Sequence, residues 1–223
     1  MDAESLKTLA LGPPAREMEG DKLLEHYYTE KPQSEIRENR FSYETKGRSL
    51  EFISVSGVFA FGGKVDRASL LLIENFKPSG AGNFLLDVGC GFGPISLFIK
   101  SRYPHIQVLA VDINERAVEY TKKNAAVNDL YIEVMKSDLY EGIQDRLFGD
   151  IVSNPPFAAG KALNTRLIEE GYGRLMKNGA LWLTAFHTKG GETLKKIMKA
   201  TFGNVEDIEK SGGIRVYRSV KES

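Results

Sequence analysis

The sequence predicts a doubly wound α/β fold in which helices cover both faces of a seven-stranded, mostly parallel sheet. From about residue 66 onward, short and continuously apolar runs alternate with helix-like segments. Such runs are typical of strands that are buried on both faces, as in parallel sheets. Residues 204–220 instead alternate apolar and polar side chains around a Ser-Gly-Gly turn. This last pattern indicates an antiparallel hairpin at the edge of the sheet.

Seven segments are predicted to be strands, because they are rich in Val, Ile, Leu and aromatic residues. The central ones are 83–88, 106–112, 131–135, 150–154 and 180–186, and the hairpin consists of 204–210 and 214–220. Three segments between the strands have helical periodicity, namely 94–103, 114–128 and 161–177.

The first part of the chain differs from this alternating pattern. Residues 1–20 contain Gly-Pro-Pro and mixed charges, and we expect them to be mobile or weakly helical. Within residues 21–56, two strand-like stretches flank Lys46 and Gly47, which predicts a β-hairpin. Because this segment is too small to be a domain, we expect it to form a cap on the main domain, residues 57–223.

Composition argues against several classes of protein. The 223 residues include 30 Lys and Arg and 30 Asp and Glu, so the chain is not of the basic type that coats nucleic acid through bulk charge. We find neither an apolar run of about 18 residues nor a secretory leader. A single cysteine, Cys90, predicts neither an intrachain disulfide nor a zinc cluster. We therefore expect a cytoplasmic protein with no metal and no membrane contact. The sequence leaves the oligomeric state open between monomer and homodimer.

A glycine-rich turn follows the first central strand. Asp87 lies near the end of that strand, and Pro94 begins the next helix. Between them, Gly89, Gly91 and Gly93 allow a tight turn and let a ligand approach without a Cβ in the way. The Gly-x-Gly-x-Gly spacing lacks the third glycine of a dinucleotide phosphate site, which favours a nucleoside ligand with an amino-acid tail. A turn with no ligand is the alternative.

Two further acids follow later strands. Asp112 closes the second strand, about 20 residues after the turn, where a carboxylate can accept hydrogen bonds from both hydroxyls of a ribose. Asp138 follows the third strand, where an adenine amino group would lie. Alone, Asp112 would be explained as a helix N-cap, although Asn114 suits that role at least as well, and Asp138 as a loop residue. Three acids at successive strand ends, with Asp87 as the first, indicate a nucleoside site.

These residues resemble the cofactor motifs of class I S-adenosylmethionine-dependent methyltransferases. The segment DVGCGFG (87–93) is similar to their first motif, and Asp112 and Asp138 are similar to their ribose-binding and adenine-binding acids. The resemblance covers residues 57–223 and implies a Rossmann-like fold with S-adenosylmethionine as cofactor. The expected cofactor contacts are Asp87, Gly89, Cys90, Gly91, Gly93, Asp112, Ile113, Asp138, Leu139 and Asn154.

The segment Asn154-Pro155-Pro156-Phe157 follows the fourth central strand and resembles the signature of amino-group methyltransferases. An exocyclic base amine is a poor nucleophile because its lone pair is delocalised into the ring. The side-chain carbonyl of Asn154 and the backbone carbonyl of Pro155 can accept its hydrogens and localise that lone pair. Phe157 is expected to stack on the base, and Pro156 to contact it. A turn that only ends the strand is the alternative.

A second resemblance comes from segments outside the cofactor site. They are HYYTEKPQSEIRENRF (26–41), SGVFAFGGKVDRASLLLIENF (56–76) and GGIRVYRSVK (212–221). They are similar to the small-subunit rRNA guanine-N2 methyltransferase family, RsmC type, and to its single-domain relatives. The resemblance implies that Phe59 borders the methionine end of the cofactor, and Lys64 and Asp66 match the family pattern. The bacterial ribosomal enzymes have a second, degenerate domain copy where this chain has a short cap, so tRNA, or rRNA at another position, is an alternative substrate.

The leading hypothesis is an RNA methyltransferase that acts on guanine N2 of rRNA or tRNA. Adenine N6 is the first alternative, since only the base edge that the pocket recognises would differ. A protein glutamine methyltransferase is less favoured, and a non-catalytic cofactor-binding scaffold is the least favoured.

Basic residues concentrate in the cap and are candidates for contacts with RNA phosphates. They are Lys31, Arg37, Arg40, Lys46 and Arg48. Glutamates are interspersed among them, so an ordinary solvated surface explains the pattern nearly as well. Arg215 in the final hairpin is also a candidate substrate contact, and facing solvent is its alternative.

Overall fold

The computed structural model describes residues 30–32, 34–143, 145–156 and 160–223. The predicted segment 1–20 and Phe157 lie outside these residues, so their expected roles stay predictions. None of the helices in the described part of the chain has the length and apolar composition that crossing a bilayer requires.

Nine strands and five α-helices are found in the described residues. The strands are β1 (Glu38–Thr45), β2 (Arg48–Val55), β3 (Phe84–Val88), β4 (Gln107–Asp112), β5 (Glu133–Lys136), β6 (Phe148–Ser153), β7 (Leu175–Phe186), β8 (Glu206–Ser211) and β9 (Ile214–Val220). The helices are α1 (Arg67–Asn75), α2 (Pro94–Arg102), α3 (Glu115–Val127), α4 (Gly160–Arg174) and α5 (Glu192–Phe202). A π-helical turn, His187–Gly191, connects β7 to α5.

The main sheet has the strand order β5-β4-β3-β6-β7-β9-β8 in the described residues. Strands β3 to β7 pair in parallel, whereas β9 is antiparallel to both β7 and β8. The structure therefore confirms the predicted seven-stranded sheet with a C-terminal hairpin.

Alternate residues of each central strand face opposite layers of the domain. In β3, Leu85 packs with α1, α2, α3 and the N-terminal hairpin, whereas Leu86 packs with α4 and α5. In β6, Val152 packs in the same layer as Leu85, and Ile151 packs in the same layer as Leu86. Both faces of the sheet are thus covered, which explains why the strand sequences are continuously apolar.

The N-terminal hairpin is present and packs against the glycine turn. Lys46 and Gly47 both have positive φ, +49° and +70°, as a two-residue type I′ turn requires. Phe41 and Phe52 stack with their ring centroids 5.6 Å apart, and both contact the ring of Phe92 edge-on. The hairpin therefore shares its hydrophobic core with the main domain.

Two asparagines, Asn124 of α3 and the C-cap residue Asn128, pair with the outer edge of β2. Asn124 accepts a hydrogen bond from the Ile53 N–H (2.7 Å) and donates to the Ile53 carbonyl (3.0 Å). Asn128 makes the same two bonds to Glu51, at 2.9 and 2.7 Å. Because a strand edge needs hydrogen-bond partners, these amides take the place of a neighbouring strand. Asn124 also donates to the Phe92 carbonyl (2.8 Å), so it joins the hairpin, α3 and the glycine turn.

One helix boundary differs from its prediction. Periodicity predicts a helix over 161–177, but α4 ends at Arg174 and β7 begins at Leu175. Leu175 pairs with Phe148 of β6, and the Asn178 N–H donates to the Lys221 carbonyl. Long-range pairing with other strands therefore overrides the local helical pattern.

Helix α5 is absent from the sequence prediction. Leu194, Met198 and Phe202 bury one face of this helix at helical spacing, and Gly203 ends it in the left-handed conformation with φ of +76°. A periodicity search beyond residue 187 would have found both signals.

We expect Asn124→Ala to lower the free energy of unfolding by about 2–4 kcal/mol, because three buried backbone groups lose their partner. Asn128→Ala is the matched control. Its bonds to Glu51 are exposed, so water replaces them and the loss should stay below about 1 kcal/mol. Urea unfolding curves of both variants measure the difference, and equal losses would contradict this account.

Candidate active site

A cavity of about 430 Å³ opens at the carboxyl ends of the central strands. Strands β3 and β6 are neighbours, but the chain passes from β3 outward through β4 and β5 before it returns to β6. Helices α2 and α3, on the β3 side, pack on one face of the sheet, and α4 and α5, on the β6 side, pack on the other. Such a reversal leaves a crevice in which doubly wound sheets bind their ligands. The volume falls in the range of small-molecule sites, about 300–1,000 Å³.

The cavity brings together most of the residues that the sequence analysis selects. Its walls include Phe59, Gly89, Cys90, Gly91, Asp112, Ile113, Asp138, Leu139, Asn154, Pro155 and Pro156. Three selected residues, Asp87, Gly93 and Arg215, are not part of the walls.

The glycine turn is closed by hydrogen bonds to the end of β4. The N–H groups of Gly89 and Cys90 both donate to the Val111 carbonyl, at 2.8 and 3.0 Å. Gly91 has a φ of +60° and donates its N–H to Asp112 Oδ2 (2.9 Å). Since residues with a Cβ rarely adopt that φ, glycine at this position lets the turn reach the carboxylate.

Asp87 is fully buried and is not part of the cavity walls, and its predicted cofactor contact stays a prediction. Its Oδ2 accepts from the Ser96 N–H (3.1 Å) and hydroxyl (2.5 Å), while Oδ1 has no hydrogen-bond partner among the described residues. Burial raises the pKa of Asp87 to about 7, although the bonds from Ser96 oppose this shift. Asp87 thus anchors the first turn of α2. The sequence position of Asp87 near the end of β3 does not predict the direction of its side chain.

Asp112 closes β4 and faces the cavity. Its two carboxylate oxygens accept from the N–H groups of Gly91 and Asn114, both at 2.9 Å. Withdrawal from bulk water raises the pKa of Asp112 to about 6, and the surrounding N–H donors oppose this shift. The N-cap of α3 is Asn114, whose side chain accepts from two N–H groups of the first turn. Capping the helix therefore does not require Asp112.

Asp138 lies in the loop after β5 and forms an ion pair with Arg166 of α4 (3.7 Å). The next residue, Leu139, has a φ of +48°, which is costly for a residue with a side chain. The Ser137 hydroxyl donates to the Leu139 carbonyl (3.0 Å) and accepts from the Gly142 N–H (3.0 Å). These bonds keep the loop in a strained shape where it forms the cavity wall.

Asn154 follows β6, and both the NH2 group and the oxygen of its side-chain amide form hydrogen bonds within the protein. Its Nδ2 donates to Asp66 Oδ2 (2.9 Å) and Ser69 Oγ (3.0 Å), and its Oδ1 accepts from Thr184 Oγ1 (2.7 Å). Because an amide has two hydrogens and two oxygen lone pairs, its donors are both used and one acceptor position remains. Sequence reasoning missed Ser69 and Thr184, which no local pattern marks, and linked Asp66 only to a family resemblance.

Arg215 lies in β9 opposite Ala185, and its guanidinium donates to the Ile214 carbonyl (3.1 Å). Of the basic cap residues, Arg37, Arg40, Lys46 and Arg48 are exposed and have no carboxylate within 4.0 Å among the described residues. Their predicted contacts with RNA stay predictions. The described ranges also contain no group of three acidic, His or Cys side chains arranged to hold a metal ion.

Comparison with known proteins identifies the family. Residues 49–218 match the family described as the methyltransferase small domain. The chain belongs to the methyltransferase small domain family. This membership confirms the methyltransferase resemblance that the glycine turn and its neighbouring acids predict.

Relatives in the methyltransferase small domain family fall into two lengths. The uncharacterized protein YbxB of Bacillus subtilis is 32% identical over 199 residues, which are 88% of this chain and 98% of YbxB. Proteins named ribosomal RNA small subunit methyltransferase C, from Aeromonas hydrophila and Hamiltonella defensa, are 33% and 31% identical. These matches cover 81% and 77% of this chain but only 52% and 51% of those relatives. The chain therefore spans about half the length of the ribosomal RNA methyltransferases.

Solved structures of methyltransferases share the fold. The T. thermophilus 16S rRNA N2 methyltransferase RsmC, solved with AdoMet and guanosine, superimposes with a TM-score of 0.74 at 26% identity. The similarity covers 85% of this chain and 52% of that one. A Pyrococcus furiosus methyltransferase has a TM-score of 0.60 at 22% identity, which concerns the fold alone. The predicted Rossmann-like methyltransferase fold is confirmed.

We expect the free energy of unfolding to decrease as the pH rises from about 4 to about 7. Folded Asp87 keeps its proton up to about pH 7, whereas the unfolded chain releases it near the ordinary value of 3.8. Unfolding therefore releases a proton in this window, and rising pH favours it. Asp87→Asn should flatten this dependence without abolishing it, because Asp112 and Asp150 also have raised pKa values.

Urea unfolding at about pH 5 and about pH 8 measures the change. Asp145→Asn is the control, since that side chain is fully exposed and its replacement should leave the dependence as it is. An unchanged slope in Asp87→Asn would show that Asp87 titrates normally in the folded protein.

Proposed function

We propose that this chain transfers a methyl group from S-adenosylmethionine to an exocyclic amine of an RNA base, with guanine N2 of rRNA as the leading substrate. The observation that carries the proposal is the amide of Asn154, which lines the cavity and keeps one acceptor position on its oxygen. Membership of a methyltransferase family supports the reaction class. The names of the relatives and the guanosine in the similar structure support the base.

The residues of the cavity fit S-adenosylmethionine. The Asp112 carboxylate is oriented by two backbone N–H groups and retains lone pairs for ribose hydroxyls. We assign the adenine to Asp138 and Leu139, and the methionine end to Phe59 and the glycine turn at Gly91. Bound there, S-adenosylmethionine supplies an electrophilic methyl carbon on a sulfonium.

The protein holds and polarises the amine of the substrate. Asn154 Oδ1 and the Pro155 carbonyl accept its two hydrogens, which localises the lone pair on nitrogen. Pro156 and Phe157 contact the plane of the base. No strong general base is required, because the methylated nitrogen is acidic enough to release its proton to water. Catalysis then depends on positioning, with the reacting atoms held roughly 3 Å apart.

The identity of the RNA substrate is also part of the proposal, because the chain spans about half the length of the ribosomal RNA methyltransferases that it resembles. The side chains that we assign to RNA phosphates are the exposed Arg37, Arg40, Lys46 and Arg48 of the cap, together with Arg215 of β9. Charge on these residues positions a nucleic acid and carries no sequence information.

Methyl transfer is tested with S-adenosylmethionine labelled in its methyl group, together with unmodified rRNA and tRNA. We expect the label in N2-methylguanosine after digestion to nucleosides. Label in N6-methyladenosine would replace guanine N2 with adenine N6, and label in protein alone would overturn the RNA substrate.

Asn154→Ala should lower turnover by about 100-fold or more, because one of the two acceptors for the amine is lost. The dissociation constant for S-adenosylmethionine should change by less than about threefold, since the ribose and adenine contacts remain. Calorimetry and single-turnover kinetics separate the two quantities. Wild-type turnover in this variant would contradict the proposed role of Asn154. A wild-type protein without turnover, whose biological role survives Asn154→Ala, would instead be a scaffold.

The affinity for S-adenosylmethionine should fall as the pH drops below about 6. Only the ionised Asp112 carboxylate accepts from both ribose hydroxyls, and its pKa is raised to about 6. Asp112→Asn should bind weakly and without this pH dependence, whereas Asp87→Asn should retain it because Asp87 lies outside the cavity walls. A pH-independent wild-type affinity, measured by calorimetry, would remove Asp112 from the ribose site.

A further inference from the structure

The orientation of the Asn154 amide decides what kind of group the site can hold. Its oxygen end and its NH2 end have nearly the same size, so packing alone does not distinguish the two orientations. With Oδ1 toward the substrate, the site accepts a hydrogen bond from an amine. With NH2 toward the substrate, the site would oppose an amine and favour a carbonyl.

Asp66 is the contact that distinguishes the two orientations. The hydroxyls of Ser69 and Thr184 can each donate or accept, so they satisfy either orientation. The Asp66 carboxylate can only accept, and its Oδ2 lies 2.9 Å from Asn154 Nδ2. Reversal of the amide would place two acceptor oxygens against each other with no hydrogen between them.

Asp66 is itself held in place by helix α1. The same Oδ2 accepts from the N–H groups of Ala68 and Ser69, at 3.0 and 3.1 Å, and so caps the helix. The positive end of the helix dipole favours a carboxylate at this position. Thr184 is fully buried and donates to the opposite end of the Asn154 amide at 2.7 Å. Asn154 is thus held between the first turn of α1 and strand β7.

We propose that Asp66 is a positioning residue that presents the Asn154 oxygen to the substrate and thereby restricts the site to groups that donate hydrogen bonds. The inference rests on the proposed function and assigns its specificity for an amine to a residue outside the reacting atoms. The charge of Asp66 also polarises the amide, which makes Oδ1 a stronger acceptor.

Two substitutions at this position separate the orienting contact from the helix cap. Asp66→Ser keeps a good N-cap, but its hydroxyl is shorter and can donate as well as accept. Asp66→Asn keeps the length, and capping of α1 turns its carbonyl oxygen toward the Ala68 and Ser69 N–H groups, where it also accepts from Asn154. We expect Asp66→Ser to lower kcat by about tenfold or more and to leave KM within about threefold. Asp66→Asn should stay within about threefold of the wild-type kcat.

Equal losses in the two variants, or an unchanged kcat in Asp66→Ser, would overturn the proposal. Both variants should also melt within a few degrees of each other, because both retain a capping residue. A melting temperature that falls in Asp66→Ser alone would assign Asp66 to the stability of α1.

A second measurement does not depend on methyl transfer. In an amide NMR spectrum, the side-chain NH2 protons of Asn154, assigned with Asn154→Ala, should exchange slowly in the wild type and in Asp66→Asn. They should exchange at least about tenfold faster in Asp66→Ser, since their acceptor is lost. Equal exchange in all three proteins would refute the orienting contact. Slow exchange in a protein that methylates no RNA would instead refute only the proposed function.

Discussion

Both N–H bonds of the Asn154 side chain are used within the protein, and the chemistry of the site depends on that constraint. Asp66 and Ser69 accept these hydrogens at 2.9 and 3.0 Å, so the amide oxygen is the atom left for a ligand. An amide in open solution would present either end. Here the choice is made before any substrate binds, as expected of a site that works by preorganisation.

This constraint requires elements that are distant in sequence. Asp66 is the N-cap of α1, Asn154 follows β6 and Thr184 belongs to β7. The parallel pairing of β6 with β7 places the last two side by side. The same edge of the sheet places the glycine turn against Asp112. Asn124 ties that turn to the N-terminal hairpin. The hairpin therefore supports the glycine turn that forms one wall of the cavity.

The sequence predicts the sheet, its C-terminal hairpin, the glycine turn and the N-terminal hairpin, because each depends on a local pattern. Strand-end acids are a weaker guide, since Asp112 is part of the cavity walls while Asp87 is bonded to Ser96 and is not part of them. The direction of a side chain at the end of a strand depends on the packing around it. The partners of Asn154 escape prediction for a related reason: Thr184 is a fully buried residue of an apolar strand, and only the folded chain brings it to Asn154.

The most direct test is a high-resolution crystal structure of the protein with S-adenosylhomocysteine and guanosine. Asn154 Oδ1 and the Pro155 carbonyl should lie within about 3 Å of the guanine 2-amino nitrogen, with Asn154 Nδ2 still bonded to Asp66. A 2-amino group directed away from both carbonyls would contradict the account. So would an Asn154 amide whose NH2 end faces the base.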